Sequence, residues 1–114
     1  MPQFLMEIAY TPDAMASLVA NPQDRRDAVK PAIETLGGTL DNAWFAMGDC
    51  DVVLIATFPD NSGALSFAAA LSAGGAVRKV KTIPLLTIAE GVDALKRAAT
   101  CGYQPLRRAT ATVR

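Results

Sequence analysis

The segment TLDNAWFAMGDCDVVLIATF, residues 39–58, decides how the rest of the chain is interpreted. It holds two apolar, strand-like runs, 39–47 and 51–58, and only Gly48, Asp49 and Cys50 separate them. A short gap that begins with glycine is typical of a β-hairpin, because glycine adopts backbone conformations that tight turns require. The segment therefore predicts two neighbouring antiparallel strands in the middle of the chain.

A strand and two helical segments precede this hairpin. Apolar residues alternate through residues 3–10, which is the pattern of a strand. Thr11, followed by proline, is a typical helix start, and Asn21, also followed by proline, predicts the start of a second helix. Pro31 should kink that second helix or remove one of its hydrogen bonds, and the glycine pair at Gly37 should end it.

A helix, a strand and a last helix follow the hairpin. Residues 59–71 predict the helix, residues 76–85 the strand, and Pro84 suits an edge position in a sheet. The segment Thr87–Glu90 has the pattern of a capping box that opens the last helix. The residues predicted to form the buried stripe of that helix are Val92, Leu95, Ala98 and Ala99.

The order of elements is βαββαβ followed by an extra C-terminal helix. This order predicts an α+β fold, the ferredoxin-like plait, with an antiparallel sheet covered by helices on one face. We expect one domain over residues 1–102 and a flexible basic tail over residues 103–114, which contains Arg107, Arg108 and Arg114.

Both faces of the two central strands are apolar. In the third strand, Val53 and Ile55 lie on one face and Leu54 lies on the other. In the first strand, Leu5 and Phe4 likewise lie on opposite faces. A face in water should instead be polar. We therefore expect a homodimer or higher homo-oligomer, in which two sheets pack face to face as a dimeric α/β barrel.

The composition excludes several classes of function. Eleven basic and eleven acidic side chains cancel, so no overall field favours nucleic acid or a membrane surface as a partner. The chain has no histidine, which removes histidine-based catalysis and histidine metal ligands. We expect no cofactor and no metal. Two distant cysteines and no leader or apolar span predict a cytoplasmic protein.

Several motifs together resemble those of the GYD-domain proteins, a family of small bacterial proteins. The motifs are YTPDAM at 10–15, NPQDRR at 21–26, the Gly37–Gly38 pair, GDCDVV at 48–53 and GAVR at 75–78, and the similarity spans residues 3–100. The resemblance implies a ferredoxin-like fold with dimeric α/β-barrel relatives, and no established reaction. The motif that names the family has a tyrosine where this chain has Cys50.

The hairpin and the first strand each offer a candidate site. Asp49, Cys50 and Asp51 could form a reactive thiol site or a cation site. The two flanking carboxylates disfavour the thiolate form of Cys50, so we favour a simple turn. Glu7 faces the predicted subunit interface, where it could act as an acid or base in a barrel pocket or pair across strands with a lysine. The lysines available for that pair are Lys79 and Lys81.

Aromatic residues near the hairpin are candidates for a ligand pocket. Trp44, Phe45 and Met47 could line a pocket for a hydrophobic or aromatic molecule, or could simply be core. Arg25 and Arg26 could bind an anion or pair with neighbouring aspartates. Two functions stay open: a homo-oligomeric ligand-binding or assembly module, and a cofactor-independent monooxygenase- or isomerase-like enzyme. Glu7 and Tyr10 are the candidates for catalysis in the second function.

Overall fold

The computed structural model describes residues 1–106, so most of the predicted basic tail, residues 107–114, lies outside the described part. Four strands and four helices follow one another along the chain. They are β1 (Gln3–Tyr10), α1 (Pro12–Ala20), α2 (Arg26–Thr35), β2 (Thr39–Phe45), β3 (Val52–Thr57), α3 (Asn61–Ala73), β4 (Val77–Leu85) and α4 (Ile88–Ala98).

The four strands form one antiparallel sheet in the order β2-β3-β1-β4. Strands β1 and β3 are central, and β4, which carries Pro84, lies at an edge, where a missing backbone N–H is tolerated. The α+β arrangement predicted from the sequence is therefore confirmed as a ferredoxin-like order of strands with an additional helix.

Helices α2 and α3 cover one face of this sheet, which we call the helix-covered face. Its buried residues come from β1, β3 and the two helices: Phe4, Met6, Ile8, Ile33, Leu54, Ala56, Ala64 and Phe67, with Phe58 just after β3. The Phe58 ring packs edge-on against Phe4 with a centroid distance of 5.9 Å, and it contacts Phe67 at 6.1 Å. Gly38 is needed beside this cluster, because a Cβ there would collide with the backbone oxygen of Thr57.

The prediction that Asn21 begins the second helix is wrong. Asn21 instead ends α1, since its backbone N–H donates to the Ser17 oxygen. Helix α2 begins four residues later than expected, because the Asp24 carboxylate accepts the Arg26 backbone N–H and turns the chain into the helix there. Pro31 lies inside α2, as predicted.

Helix α4 begins with the predicted capping box but is not buried. The Thr87 hydroxyl accepts the Glu90 backbone N–H at 3.0 Å, and the Glu90 carboxylate accepts the Thr87 N–H at 2.9 Å. The predicted buried stripe is wrong for a single chain: Val92 is 44% exposed and Leu95 is 72% exposed. The reason is that α4 leaves the sheet after β4 and makes no extensive contact with another described element.

Within residues 1–106, none of the helices combines the length and the apolar character needed to cross a membrane.

Candidate functional site

A cleft of about 800 Å³ opens between the helix-covered face of the sheet and helices α2 and α3. Small-molecule sites in proteins commonly have volumes of about 300–1,000 Å³. The cleft lies where β1, β2, β3 and β4 meet the start of α2 and the end of α3, and most of its wall is apolar. The main apolar residues of this wall are Ile8, Val29, Phe45, Val52, Leu71 and Val77.

Tyr10 brings a hydroxyl group into this apolar cleft. Its position is held by a backbone contact, because the Tyr10 N–H donates to Oδ2 of Asp51 at 2.7 Å. Burial raises the pKa of the half-buried Tyr10 hydroxyl above its usual value, and the nearby Arg25 guanidinium only partly opposes this shift. At neutral pH Tyr10 is therefore a protonated phenol that can donate a hydrogen bond.

Two arginines at the start of α2 line the cleft beside Tyr10. The Arg26 guanidinium forms an ion pair with Asp24, with 2.6 Å between Nη2 and Oδ2 and a second contact through Nε. The Arg25 guanidinium instead donates to the neutral Gln23 Oε1 at 3.0 Å. The two neighbouring cations are therefore not equivalent, since only Arg26 is matched by a carboxylate.

The turn between β2 and β3 is explained by backbone geometry and hydrogen bonds. Gly48 has a φ of 124°, which a residue with a side chain rarely adopts. Asp51, directly before β3, extends the sheet towards the turn, because its N–H donates to the Ile8 oxygen and its own oxygen accepts the Ala46 N–H, both at 2.8 Å. Cys50 is a half-buried free thiol. In the part of the chain that is described, no cluster of His, Cys, Asp or Glu side chains could hold a metal ion.

Glu7 lies on the opposite face of the sheet from the cleft, which we call the open face. The open face is formed by Leu5, Glu7, Val53, Ile55 and Ile83. Glu7 is directly across from Lys81, as the cross-strand hypothesis requires. However, among residues 1–106 the only ion pair within 4 Å joins Arg26 and Asp24, so the Glu7–lysine pair is not formed in a single chain.

The structure does not bring Glu7 and Tyr10 together. The side chains of a strand alternate between its faces, and these residues are three apart in β1, so the sheet separates them. Tyr10 faces the cleft and Glu7 faces away from it.

The three predicted pocket residues differ in their positions. Phe45 lines the cleft, and Trp44 borders it, although the pairing of Trp44 with Val53 directs its side chain to the open face. Met47 is fully exposed and does not line the cleft. Leu71, in the α3 wall, was not among the residues predicted to line a pocket, and the role of Arg25 stayed open. The adjacent arginines in a turn after Asn21 were the available signal for a polar group at this site.

The open face also carries a polar cluster centred on Asp41. Its carboxylate accepts hydrogen bonds from Thr57 at 2.6 Å, Thr39 at 2.9 Å and Gln3 at 3.1 Å, which joins β2, β3 and β1. Partial burial acts to raise the pKa of Asp41, but these three hydrogen bonds outweigh it and lower that pKa below its usual value. The Asp41 carboxylate at this end of the open face therefore has hydrogen-bond partners within one chain.

Comparison with known proteins agrees with this fold. No curated protein matches the chain. A transcriptional regulator from Neisseria meningitidis, solved as a complex with L-Met, is similar in structure, with a TM-score of 0.52 and 12% sequence identity. The match covers 98% of this chain but only 59% of the regulator, and at this identity it shows the fold alone.

The sequence profile of the GYD domain matches residues 4–95, which include all four strands apart from the first residue of β1, and most of α4. The chain therefore belongs to the GYD-domain family.

Proposed function

We propose that this chain is a homo-oligomeric ligand-binding module and that the cleft between the sheet and helices α2 and α3 is its binding site. The observation that carries this proposal is the cleft itself: about 800 Å³, walled by apolar side chains, with the polar groups of Tyr10 and Arg25 at one side. Apolar walls favour an organic ligand, and a few placed polar groups orient it.

Binding is favoured over catalysis by the arrangement of the candidate residues. The enzyme hypothesis uses Glu7 and Tyr10 to handle protons, and general acid–base catalysis requires both groups within reach of one substrate. The sheet places them on opposite faces. The regulator with a similar fold was solved with a small ligand, L-Met, which is compatible with a binding role for the fold.

A second copy of the chain is the partner we propose for the open face and α4. The centre of the open face is apolar, and Ile88, Val92 and Leu95 of α4 are all exposed in one chain. Apolar surfaces of this kind commonly mark interfaces. The face also carries one acidic and one basic side chain, Glu7 and Lys81, so two copies can pair them across an interface.

We also propose that the protein is cytoplasmic. Both described cysteines are free thiols, as is usual in a reducing compartment.

The ligand-binding proposal is tested by filling the cleft. Ala70 and Ala69 are consecutive exposed residues of α3, but only Ala70 lines the cleft. A library of aromatic and polyketide-like compounds is screened by thermal shift against the wild type, Ala70→Trp and the control Ala69→Trp. We expect some compounds to raise the Tm of the wild type and of the control, but not of Ala70→Trp. If no compound raises any Tm, or if all three proteins respond equally, the cleft is not a binding site.

The oligomer proposal is tested by light scattering at micromolar concentrations. Ile55→Lys places a charge at the centre of the open face, and Val19→Lys places the same charge on the exposed surface of α1. We expect wild type and Val19→Lys to be dimers or larger and Ile55→Lys to be a folded monomer. A wild-type chain that stays monomeric would contradict the proposal.

A further inference from the structure

We propose that the cleft selects small apolar or aromatic molecules that carry a carboxylate, and that the Arg25 guanidinium binds this carboxylate. The inference rests on the proposed ligand-binding function and adds the chemical class of the ligand. It depends on three features of the cleft: an uncompensated cation, a neighbouring hydroxyl donor and an apolar wall.

The uncompensated cation is Arg25. Its neighbour Arg26 is neutralised by Asp24 through contacts of 2.6 to 3.1 Å. The Arg25 Nη1 donates to the neutral Gln23 side chain at 3.0 Å, and within residues 1–106 no carboxylate lies in ion-pair distance of Arg25. One positive charge without a carboxylate partner therefore remains at the edge of an apolar cleft.

The neighbouring donor is the Tyr10 hydroxyl. Tyr10 and Arg25 both line the cleft, and the Arg25 guanidinium acts to lower the pKa of the Tyr10 hydroxyl, as a close neighbour does. The Tyr10 hydroxyl keeps its proton at neutral pH, because burial raises its pKa. An arginine and a phenol together offer several N–H and O–H donors, which suits an acceptor such as a carboxylate and disfavours a cationic group.

The apolar wall and the single charge distinguish a carboxylate from other anions. A guanidinium binds the planar carboxylate through two parallel hydrogen bonds and matches its single negative charge. A phosphate monoester carries close to two negative charges at neutral pH, which one free arginine would leave partly unmatched. The apolar wall, which includes Val29, Val52 and Leu71, would then bury the hydrocarbon part of the ligand.

The experiment compares two probes of the same shape, naphthalene-2-carboxylate and the neutral naphthalene-2-carboxamide. Each is titrated into the ¹⁵N-labelled full chain, and Kd is obtained from amide shifts in NMR spectra. The wild type is compared with Arg25→Met, which keeps the unbranched apolar part of the side chain and removes the guanidinium. The matched control is Arg97→Met, which removes the same charge from α4, away from the cleft. Arg25→Lys retains the charge and controls for local structure.

We expect the wild type and Arg97→Met to bind the carboxylate about tenfold more tightly than the amide, as one charge-assisted contact implies. This preference should fall to about twofold or less in Arg25→Met and be largely kept in Arg25→Lys. The amide shifts should include Tyr10 and Val52. Equal binding of both probes, or an unchanged preference in Arg25→Met, overturns the carboxylate assignment and leaves the ligand-binding cleft intact. If neither probe binds at millimolar concentration, both proposals fail.

Discussion

The two faces of the central sheet have the same strands but different environments. Phe4, Met6 and Ile8 of β1 point to the helix-covered face and are at most 3% exposed. Leu5 and Glu7 point to the open face and are only half-buried. The difference is not one of hydrophobicity alone, since Leu5 is as apolar as its neighbours. It arises because α2 and α3 both pack on one face, whereas no helix within residues 1–106 contributes a buried core residue on the other.

We therefore expect one face of the sheet to determine the folding stability of the chain and the other to determine its association with a second copy. The helix-covered face contains the aromatic cluster around Phe58, which is complete within one chain. The open face keeps apolar groups that one chain leaves only half-buried, and α4 keeps apolar groups that it leaves exposed. Substitutions on the helix-covered face should therefore change the free energy of unfolding, and substitutions on the open face should mainly change association.

The largest expected effect distinguishes the two faces directly. Met6→Ala removes a fully buried side chain and should lower the free energy of unfolding by about 2–4 kcal/mol. Leu5→Ala, the matched control one residue earlier, should cost less than about 1 kcal/mol at concentrations where the chain is monomeric. Urea unfolding followed by circular dichroism measures both. Equal costs in the dilute monomer would mean that the two faces are equally buried within one chain.

A smaller effect is expected where the hairpin is joined to the end of β1. Asp51→Ala removes the acceptor of the Tyr10 N–H at 2.7 Å and should cost about 1–2 kcal/mol. Asp49→Ala, in the exposed part of the same turn, should cost less than about 0.5 kcal/mol. Thermal unfolding of the two variants tests this difference. A larger loss in Asp49→Ala would show that the turn, rather than the contact to β1, is the important feature.

The polar end of the open face should make stability depend on pH. The folded-state pKa of Asp41 is lowered, so its carboxylate stabilises the fold above the unfolded pKa of about 3.9. That stabilisation is lost as the pH falls through the folded pKa. Asp41→Asn should lower stability at pH 7 by less than about 1 kcal/mol, since the side chain is largely in water. The wild type and the variant should become equally stable towards pH 2. Urea unfolding at several pH values measures this, and a difference that grows in acid would contradict it.

The smallest effect is expected at Cys50, in the turn that belongs to neither face. The family motif has tyrosine here, and Cys50 is half-buried beside the positive-φ Gly48. We expect Cys50→Tyr to change the Tm by no more than the equivalent of about 0.5 kcal/mol. It should also leave the affinity for naphthalene-2-carboxylate unchanged. A marked change in that affinity would show that position 50 acts on the cleft and not only on the turn.

Local signals in the sequence predicted most of the secondary structure. Gly48 marked the hairpin, and the segment Thr87–Glu90 marked the start of α4, because turns and caps depend on residues close together in the chain. The prediction that α2 begins after Asn21 was wrong, since the helix begins at Arg26. The Asn-Pro pair suits a helix start equally well, and the Asp24 contact that begins the helix becomes visible only in three dimensions.

The cleft was only partly predictable. Trp44, Phe45 and Tyr10 were candidates because aromatic residues near strand ends often line pockets, but Met47 belonged to the same pattern and lies outside the cleft. Leu71 is more than sixty residues away from Tyr10 in the chain, and no periodicity links the two. Their proximity follows from the packing of α3 on the sheet.

The sequence by itself determined the order of elements, the hairpin, the α4 cap and membership of the GYD-domain family, because alternation, capping and turn chemistry act over a few residues. Only the tertiary structure decided which apolar residues are buried and which charges are matched. Alternation shows that β1 has two faces, but not that α2 and α3 both pack on the same one. The difference between Arg25 and Arg26 likewise depends on contacts that form only when the chain folds.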